Sequence, residues 1–534
     1  MHKTGRRLQS TTFLLRPRLR LLGLALIVSI STANAQDGQI VPTDDPVYWH
    51  LSTLQRRGYL LQLDPTTLPY RTDQIAAALK DCSLPPSGFL RTAHDYVRQR
   101  VLGRRYQHDA VQTDPDRPVV SGDLGGAATV VNTRRTDILR PLDDAIIPYQ
   151  TGFGGFGIAA GGWIARVGLR HDGYYDRDPD ALDSANRLLI RPENTYVGFT
   201  STYADAVLGR FSNHWAPRND GGVVVTDNPR PYDLIKLRVG TPKYFMEAIV
   251  GELDSATEDG QFTGRVGDRG LPNRRRFLAA HKFVWRPSPR FLIGIQEAVL
   301  YSGQAAGFSL KYLNPTMALV FEVDNTPKND ENNGMIGGLI WFQLGTTTVS
   351  GQVLLDDLDL RREGSVAEPL SVALNGSVTH AMKNRPVDFG ARMELVTART
   401  YSALQNEGQY VYLLRGIAAQ YSDYVLFEPF VNLYADVLTP GLGIKATTTL
   451  LWKGEWDILR DFPSNSQDTI LLGVVERTVM PGLAIHYAPD PHLWLNLRTG
   501  LNLTQNDNHS SGAKSSRLVF ALNTGIRFAL SGRK

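Results

Sequence analysis

The segment RLVFALNTGIRFAL, residues 517–530, carries the main clue to the fold of this chain. Side chains alternate between the two faces of an extended strand, so residues two apart share a face. The even-numbered residues from Leu518 to Leu530 are apolar apart from Thr524, whereas the opposite face is mostly small or polar and includes Arg527. A soluble β-sandwich strand has the same pattern, so this segment alone does not distinguish the two folds.

Repetition of the pattern favours a membrane barrel. Similar segments recur from about residue 118 to the end, among them 275–285, 291–301, 335–344, 349–360, 387–398, 410–421, 426–438, 443–454, 469–480 and 492–504. In the last one, Asn496, Arg498 and Asn502 lie opposite a row of leucines. Short turns alternate with long polar loops such as 253–273, 324–334 and 505–516. This alternation is typical of outer-membrane β-barrels, and at ~10 residues per strand the region accommodates roughly 16–20 strands. The alternative is a periplasmic β-sandwich or propeller.

Residues 1–35 have the features of a secretory signal. Five arginines precede the apolar run LLGLALIVSI (21–30), and Ala33-Asn34-Ala35 forms a small-residue cleavage site. The apolar run is much shorter than the roughly 20 residues that a membrane-spanning helix needs. We therefore expect cleavage after Ala35.

The charge of the chain does not indicate a nucleic-acid partner. Six of the 57 Lys and Arg residues lie in the signal, which has no acidic residue, so 51 basic and 53 acidic residues remain after cleavage. The net charge of +4 thus comes from the export signal. A single cysteine, Cys82, excludes an intrachain disulfide, and barrel closure is then the expected source of stability.

Residues 44–103 have helical rather than alternating periodicity. Asp45-Pro46 predicts a helix start, Thr72 to Lys80 a second helix, and Leu90, Ala93, Val97 and Val101 one face of a third. These helices form their own core or pack against an open barrel end. The fold class is therefore an all-β transmembrane protein, a large closed antiparallel outer-membrane β-barrel at 111–534 with a small helical unit at 36–110.

Glu297 conflicts with this pattern because it shares a strand face with Phe291, Ile293 and Ile295. A carboxylate facing lipid at mid-depth is costly. We expect either a β-bulge near Gly294 or a face that points into the lumen.

Motifs for catalysis or metal binding are weak. The run GFGGFG (152–157) matches a dinucleotide-binding pattern without the required strand–helix context. The loop from Asp324 to Gly334 has oxygen ligands but no EF-hand spacing, and Asp356 and Asp357 point to opposite strand faces. No serine lies in a G-x-S-x-G elbow. We expect no enzymatic activity, no cofactor and no metal site.

The segment 208–237 has the most unusual composition, with polar planar groups crowded around an aromatic residue. Such groups suit sugar recognition, because an aromatic ring stacks on the apolar face of a sugar while amides, carboxylates and guanidinium groups bond its polar groups. The alternative is an inward-folded loop that fills the barrel and holds itself by hydrogen bonds, and both can be true. The candidate polysaccharide ligands are Arg210, Asn213, His214, Trp215, Arg218, Asp227 and Asn228.

Several of these motifs resemble the capsule assembly proteins of the Wzi family. The resemblance rests on GRFSNHWAP (209–217), TDNPRPYDLIKL (226–237), QEAVLYSG (296–303), YLNPT (312–316), GQVLLDDLDL (351–360) and the helical opening at 46–60 and 69–79. It implies an outer-membrane barrel of about 18 strands with a helical unit on the periplasmic side. It also implies a lectin-like, non-enzymatic role in attaching or organising capsular or exopolysaccharide.

The expected partners are a surface polysaccharide and outer-membrane lipids, and the expected state is a monomer in the bacterial outer membrane. Two other functions stay open, a diffusion channel (porin) for small solutes and, with less support, a barrel hydrolase.

Overall fold

The computed structural model describes residues 38–83, 85, 88–103, 118–135, 137–181, 190–218, 220–257, 262, 273–304, 306–319, 331–356, 371–403, 405–460 and 468–533. The expected signal at 1–35, most of the loop 324–334 and Asp357 lie outside these residues.

An antiparallel barrel forms the body of the protein. Its strands are β1 (Val119–Val131), β2 (Ile147–Ala160), β3 (Trp163–Asp172), β4 (Ile190–Pro192), β5 (Thr195–Thr200), β6 (Ala204–Arg210), β7 (Asp233–Gly240), β8 (Tyr244–Glu252), β9 (Ala256–Thr257), β10 (Asn273–Ser288), β11 (Phe291–Gly303), β12 (Glu331–Leu344), β13 (Thr347–Asp356), β14 (Ser371–Ala381), β15 (Val387–Val396), β18 (Tyr424–Tyr434), β19 (Leu442–Lys453), β20 (Glu476–Asp490), β21 (Leu493–Gln505) and β22 (Lys514–Arg533). Because β4 and β5 both pair with β3, and β8 and β9 both pair with β10, each of these two pairs counts as one strand and the barrel has 18.

The first and last strands close the barrel. β1 pairs with β22 from Val119↔Arg533 to Val131↔Ala521, so the segment 517–530 lies at the closure seam. Short connections, such as Gly161-Gly162 and Pro289-Arg290, lie at one end of the barrel. The longer loops, including 132–146 and 211–232, lie at the other end, which confirms the predicted alternation.

The outward faces of the strands are apolar. In β22, Leu518, Ile526 and Phe528 are 65%, 49% and 60% exposed. Exposed aromatic side chains surround the short-turn end: Trp163, Phe199, Tyr203, Tyr244, Trp285, Phe389 and Phe528. An apolar band bordered by aromatic residues is the surface that an outer-membrane barrel presents to lipid. Among the described residues, no helix has the length and apolar character required to cross a membrane.

The N-terminal helices α1 (Val47–Gln55), α2 (Thr72–Lys80) and α3 (Phe89–Leu102) pack inside the barrel at the short-turn end. At the start of α1, Asp45 Oδ1 accepts a hydrogen bond of 3.0 Å from Val47 N. The α1 helix is fixed to the wall by Asp388 of β15, which lies 2.5 Å from Arg57 and 3.2 Å from Arg56. The helical core therefore includes barrel residues such as Trp494. A fourth helix, α4, spans Leu310–Leu313.

One segment predicted as a barrel strand is a loop, and a second is a loop in its first part. Residues 410–421 contain only a small hairpin inside the lumen, β16 (Val411–Tyr412) with β17 (Arg415–Gly416). Leu413 and Leu414 at its turn have φ of 52° and 65°, which breaks an extended strand. In 469–480, the strand begins only at Glu476 because Leu471 has φ of 58°. In the first segment, Tyr410, Val411 and Ile417 are buried in the core of the lumen rather than in a barrel wall.

Glu297 follows neither of the two expectations. The pairing of β11 with β10 and β12 is regular at Gly294, and the exposed Ile293 and Ile295 show that this face points outward. Residues 306–319, including α4, instead fold over the outside of the wall, where His281 contacts the backbone oxygens of Met317 and Tyr312. Glu297 lies beneath this cover, 3.3 Å from His281, and is therefore shielded from lipid.

Candidate functional site

Two long loops fold into the lumen and pack against each other. We call them the inner plug: residues 211–232 and 397–423. Val223 and Val224 accept hydrogen bonds of 2.8 and 3.0 Å from the hydroxyls of Tyr401 and Tyr410. Thr226 N donates to Ile417 O at 3.1 Å. These contacts surround an apolar core, so the inner plug is packed like a domain interior.

Trp215 lies at the centre of the inner plug and is fully buried. Its indole Nε1 donates a 3.0 Å hydrogen bond to Glu247 of β8, and its carbonyl accepts one of 2.6 Å from Gln352 of β13. Lys282 Nζ lies 4.9 Å from the ring centroid. Trp215 thus joins the loop to two strands of the wall, and because the side chain is fully buried neither ring face is available to a sugar.

Asp227 joins two other candidate ligands inside the inner plug. Its carboxylate lies 3.1 Å from Nδ1 of His214 and 3.2 Å from Arg218. Burial alone would raise the pKa of the Asp227 carboxyl, but His214 and Arg218 lower it well below its usual value. The carboxylate therefore stays charged and holds the loop in shape.

The remaining candidates also have protein partners. Asn228 donates to Gly416 O at 2.7 Å, and Asn213 accepts from Lys236 at 3.1 Å. Arg210 lies at the end of β6, on the face of the exposed Leu208, and pairs with Asp233. The structure thus brings six of the seven candidates together in the inner plug and leaves Arg210 at the rim. The inward-folded alternative describes their packing, and their contact with polysaccharide stays a prediction.

A large cavity remains in the lumen beside the inner plug. We call it the vestibule; its volume is about 740 Å³. Strands β1–β3 and β19–β22 form its wall, the N-terminal segment around Trp49 forms its floor, and Arg218 is the one predicted ligand that lines it. The lining reaches Val131 and Asn194 at the long-loop end. This volume is in the range of small-molecule binding sites.

A row of five polar side chains crosses the vestibule wall at the closure seam. Residue pairing aligns them on consecutive strands from β20 through β21, β22 and β1 to β2. We call them the polar row: His486, Asn496, Asn523, Thr129 and Tyr149. Each comes from a different strand, so the row has the rigidity of the sheet.

Hydrogen bonds orient the polar row. His486 Nδ1 lies 2.5 Å from Asn496 Oδ1, and Asn523 donates to Thr129 at 2.8 Å and accepts from Trp494 Nε1 at 2.9 Å. His486 Nε2, in contrast, is buried without a hydrogen-bond partner among the described residues. An unpaired polar atom at a cavity wall is a position that a ligand hydroxyl or a water can satisfy.

The charges of the vestibule are mostly paired, with one clear exception. Arg166 pairs with Asp123, Arg170 with Asp44 and Arg527 with Asp45. Arg498 lies two residues after Asn496 in β21, on the same face and closer to the long-loop end. It is exposed and forms no ion pair with any described residue. Its guanidinium can therefore bind a carboxylate or a sugar hydroxyl.

The long loops are linked above the lumen. Arg135 pairs with Asp180 at 3.0 Å, and Arg415 pairs with Asp178 at 2.6 Å. Tyr421 donates to Asp137 at 3.0 Å. These contacts connect loops 132–146, 173–181 and 397–423, so the rim next to the vestibule is held in place.

The other sequence motifs have structural positions. GFGGFG lies within β2, antiparallel to β1 and β3, and a Cβ at Gly155 would lie 2.5 Å from the Arg166 guanidinium. Asp356 accepts a 2.6 Å hydrogen bond from Tyr401 N. In the described part of the chain, no group of three or more His, Cys, Asp or Glu side chains is placed to hold a metal ion.

Part of the chain matches a known protein family, and its fold matches solved outer-membrane barrels. The family model described as capsule assembly protein Wzi matches residues 148–379, from β2 into β14. A solved structure from Escherichia coli, titled as Wzi, an outer membrane protein involved in group 1 capsule assembly and a carbohydrate-binding β-barrel, has a TM-score of 0.59 at 13% identity, covering 92% of this chain and 99% of that one. None of the curated proteins matches this sequence.

Porin structures are more distant. OprD of Pseudomonas aeruginosa has a TM-score of 0.43 at 10% identity, covering 79% of this chain and 99% of that one. A BenF-like porin of Pseudomonas fluorescens Pf-5 has a TM-score of 0.44 at 10% identity, covering 78% and 98%.

The family match and the barrel agree with the resemblance found in the sequence. The predicted fold class and outer-membrane location are confirmed. The chain is an outer-membrane β-barrel whose residues 148–379 match the family model described as capsule assembly protein Wzi, and whose fold is similar to that of the solved Wzi structure.

Proposed function

We propose that this protein binds and organises capsular or exopolysaccharide at the cell surface, without an enzymatic step. The family match and the fold support a role in capsule assembly. The observation that carries the binding proposal is the polar row with Arg498 beside it, in a vestibule that reaches the long-loop end. Amides, a hydroxyl and an unpaired guanidinium are the groups that recognise sugar hydroxyls and carboxylates.

The aromatic residues of the vestibule complete this site. Trp49 and Trp494 line its lower part, and Tyr149 ends the polar row. Aromatic rings bury the apolar face of a sugar, and the Trp494 indole also orients Asn523 of the polar row through its Nε1 hydrogen bond. The site therefore fits a short stretch of a neutral or acidic polysaccharide. Arg218 contributes a second cation at the boundary with the inner plug, while the other predicted ligands support this boundary from within.

The orientation follows from the barrel. Short turns of outer-membrane barrels are periplasmic and long loops are extracellular. We infer from this that the helices α1 to α3 lie on the periplasmic side and that the vestibule opens outside the cell. Because the vestibule is formed by one chain, a monomer surrounded by outer-membrane lipid is sufficient for this proposal.

A capsule-retention assay tests the proposal. In a deletion strain complemented with Asn496→Ala/Arg498→Gln, we expect more free polymer in the medium and less on the cells than with the unchanged protein. Leu501→Ala, a lipid-facing change on the same strand, is the control. Heat-modifiable gel mobility establishes equal barrel abundance. Unchanged retention with equal abundance would refute the assignment to the vestibule.

A further inference from the structure

The outer wall carries a depression at its long-loop end that no part of the proposed function uses. Its volume is about 600 Å³, and strands β19 to β22 line it. On the lumen side of the same strands, Thr478 and Thr504 are buried and lie 2.9 Å apart through their hydroxyls. The depression therefore opens toward the membrane, where Val479 and Leu503 are 43% and 40% exposed.

A row of three polar side chains, with a tryptophan at one end, lies at the upper edge of this depression. Residue pairing places Trp452, Arg477, Gln505 and Lys514 side by side on four consecutive strands. Neighbouring strands are about 4.8 Å apart, so the two cationic residues are separated by about 10 Å. We call this set the outer cation row.

An apolar row lies directly below the outer cation row. Its members are Leu450, Val479 and Leu503, with Ser516 beside them, and Leu518 continues the apolar surface toward the membrane centre. The arrangement is thus cationic above and apolar below, with a half-buried tryptophan at one end. This is the order of a lipid: a headgroup at the interface and acyl chains beneath it.

The charge of the depression is not compensated. Neither Arg477 nor Lys514 forms an ion pair or side-chain hydrogen bond with a described residue, and both are exposed. None of the residues lining the depression is acidic. Two uncompensated cations about 10 Å apart, next to lipid, attract an anionic headgroup.

We propose that the outer cation row binds a phosphorylated glycolipid of the outer leaflet, of the lipid A type. Arg477 and Lys514 each contact one phosphate at the two ends of the sugar headgroup, and Gln505 bonds the sugar between them. The acyl chains lie along Val479, Leu503 and Leu518. The site fixes the height and rotation of the barrel in the membrane and places the closure seam next to a bound lipid.

The test titrates the full mature protein in detergent with bisphosphorylated lipid A and follows binding by native mass spectrometry. We expect Arg477→Gln/Lys514→Gln to weaken this binding by about tenfold, since each cation contributes a comparable share near the surface. Monophosphorylated lipid A is expected to bind with an intermediate affinity, and phosphatidylcholine equally to both proteins.

Two controls keep the result specific. Lys243→Gln/Lys383→Gln removes two exposed cations at the short-turn end, and Arg477→Lys/Lys514→Arg keeps both charges. Both are expected to retain the affinity of the unchanged protein. Equal binding by the Arg477→Gln/Lys514→Gln protein, an equal loss in the short-turn control, or displacement by millimolar inorganic phosphate would each overturn the proposal.

Discussion

The backbones of Leu68 and His214 pair with each other inside the barrel, through two hydrogen bonds of 2.9 and 3.0 Å. Leu68 belongs to the N-terminal unit and His214 to the inner plug. The two bodies that fill the lumen, one from the short-turn end and one from the long-loop end, therefore meet as one structure. Together they fill part of the lumen, and the vestibule is the space left between them and strands β1–β3 and β19–β22.

Replacement of Trp215 is expected to open the lumen. Trp215→Ala removes a fully buried indole and leaves Glu247 without its donor, at a cost of about 3–5 kcal/mol. We expect a higher conductance in planar bilayers than for the unchanged protein. Trp163→Ala, at a lipid-exposed tryptophan, is the control and is expected to conduct as little as the unchanged protein. An unchanged conductance of the Trp215→Ala protein would contradict the role of the inner plug.

Loss of the Asp388 carboxylate is expected to release the helical unit. Asp388→Asn leaves Arg56 and Arg57 facing a neutral group in a buried site, which costs about 3–5 kcal/mol. Hydrogen exchange of α1 is expected to accelerate strongly. Asp233→Asn, which breaks the largely exposed pair with Arg210, costs only about 0–1 kcal/mol and leaves this exchange unaltered. Equal exchange of α1 in both variants would show that Asp388 is not its anchor.

The attachment of the helical unit is expected to weaken in acid. Burial alone would raise the pKa of Asp45, but Arg100 and Arg527 lower it well below its usual value. A lowered pKa in the folded state means that the stabilisation is complete above the unfolded pKa of about 3.9 and is lost as the pH falls toward the folded pKa. The protection factors of the α1 amides, which correct for the slower intrinsic exchange in acid, should therefore fall between pH 5 and pH 3.

The matched variant for this pH dependence is Asp45→Asn. It is expected to show lower protection factors in α1 already at pH 5 and a smaller further fall toward pH 3. Some pH dependence remains because of a second carboxyl, Asp64. Burial raises the pKa of Asp64, but Lys282 and Arg286 lower it further, so its pKa lies below the usual value and its protonation in acid also removes stabilisation. The same pH dependence in the unchanged and Asp45→Asn proteins would exclude Asp45 as its source.

The sequence predicts those parts of the fold that depend on local periodicity. The helix at Thr72–Lys80 and the hairpin strands around 286–290 are at their predicted places, because a helical or alternating pattern fixes the element and a turn fixes its end. The prediction fails in 410–421 and in the first part of 469–480. Their sequences alternate, but Leu413, Leu414 and Leu471 have positive φ, and an alternating sequence does not indicate where the backbone leaves the extended conformation.

The sequence predicts only part of the candidate site. The composition of 208–237 indicated an unusual loop, but whether Trp215 faces solvent or the interior depends on Glu247 and Gln352, which are far away in sequence. Asn496 and Arg498 were visible opposite the leucines of β21. Their alignment with Asn523 and Thr129 depends on how β22 pairs with β21 and with β1. The register between strands far apart in sequence cannot be predicted from a local sequence pattern.

Binding of purified surface polysaccharide to the detergent-solubilised protein tests the central claim most directly. Isothermal titration calorimetry should show at least about tenfold weaker binding for Asn496→Ala/Arg498→Gln, because hydrogen bonds to a charged group contribute about 1.5–3 kcal/mol. Arg477→Gln/Lys514→Gln, on the outer wall, should bind the polysaccharide like the unchanged protein. Equal affinity of the vestibule variant and the unchanged protein would contradict polysaccharide binding in the vestibule.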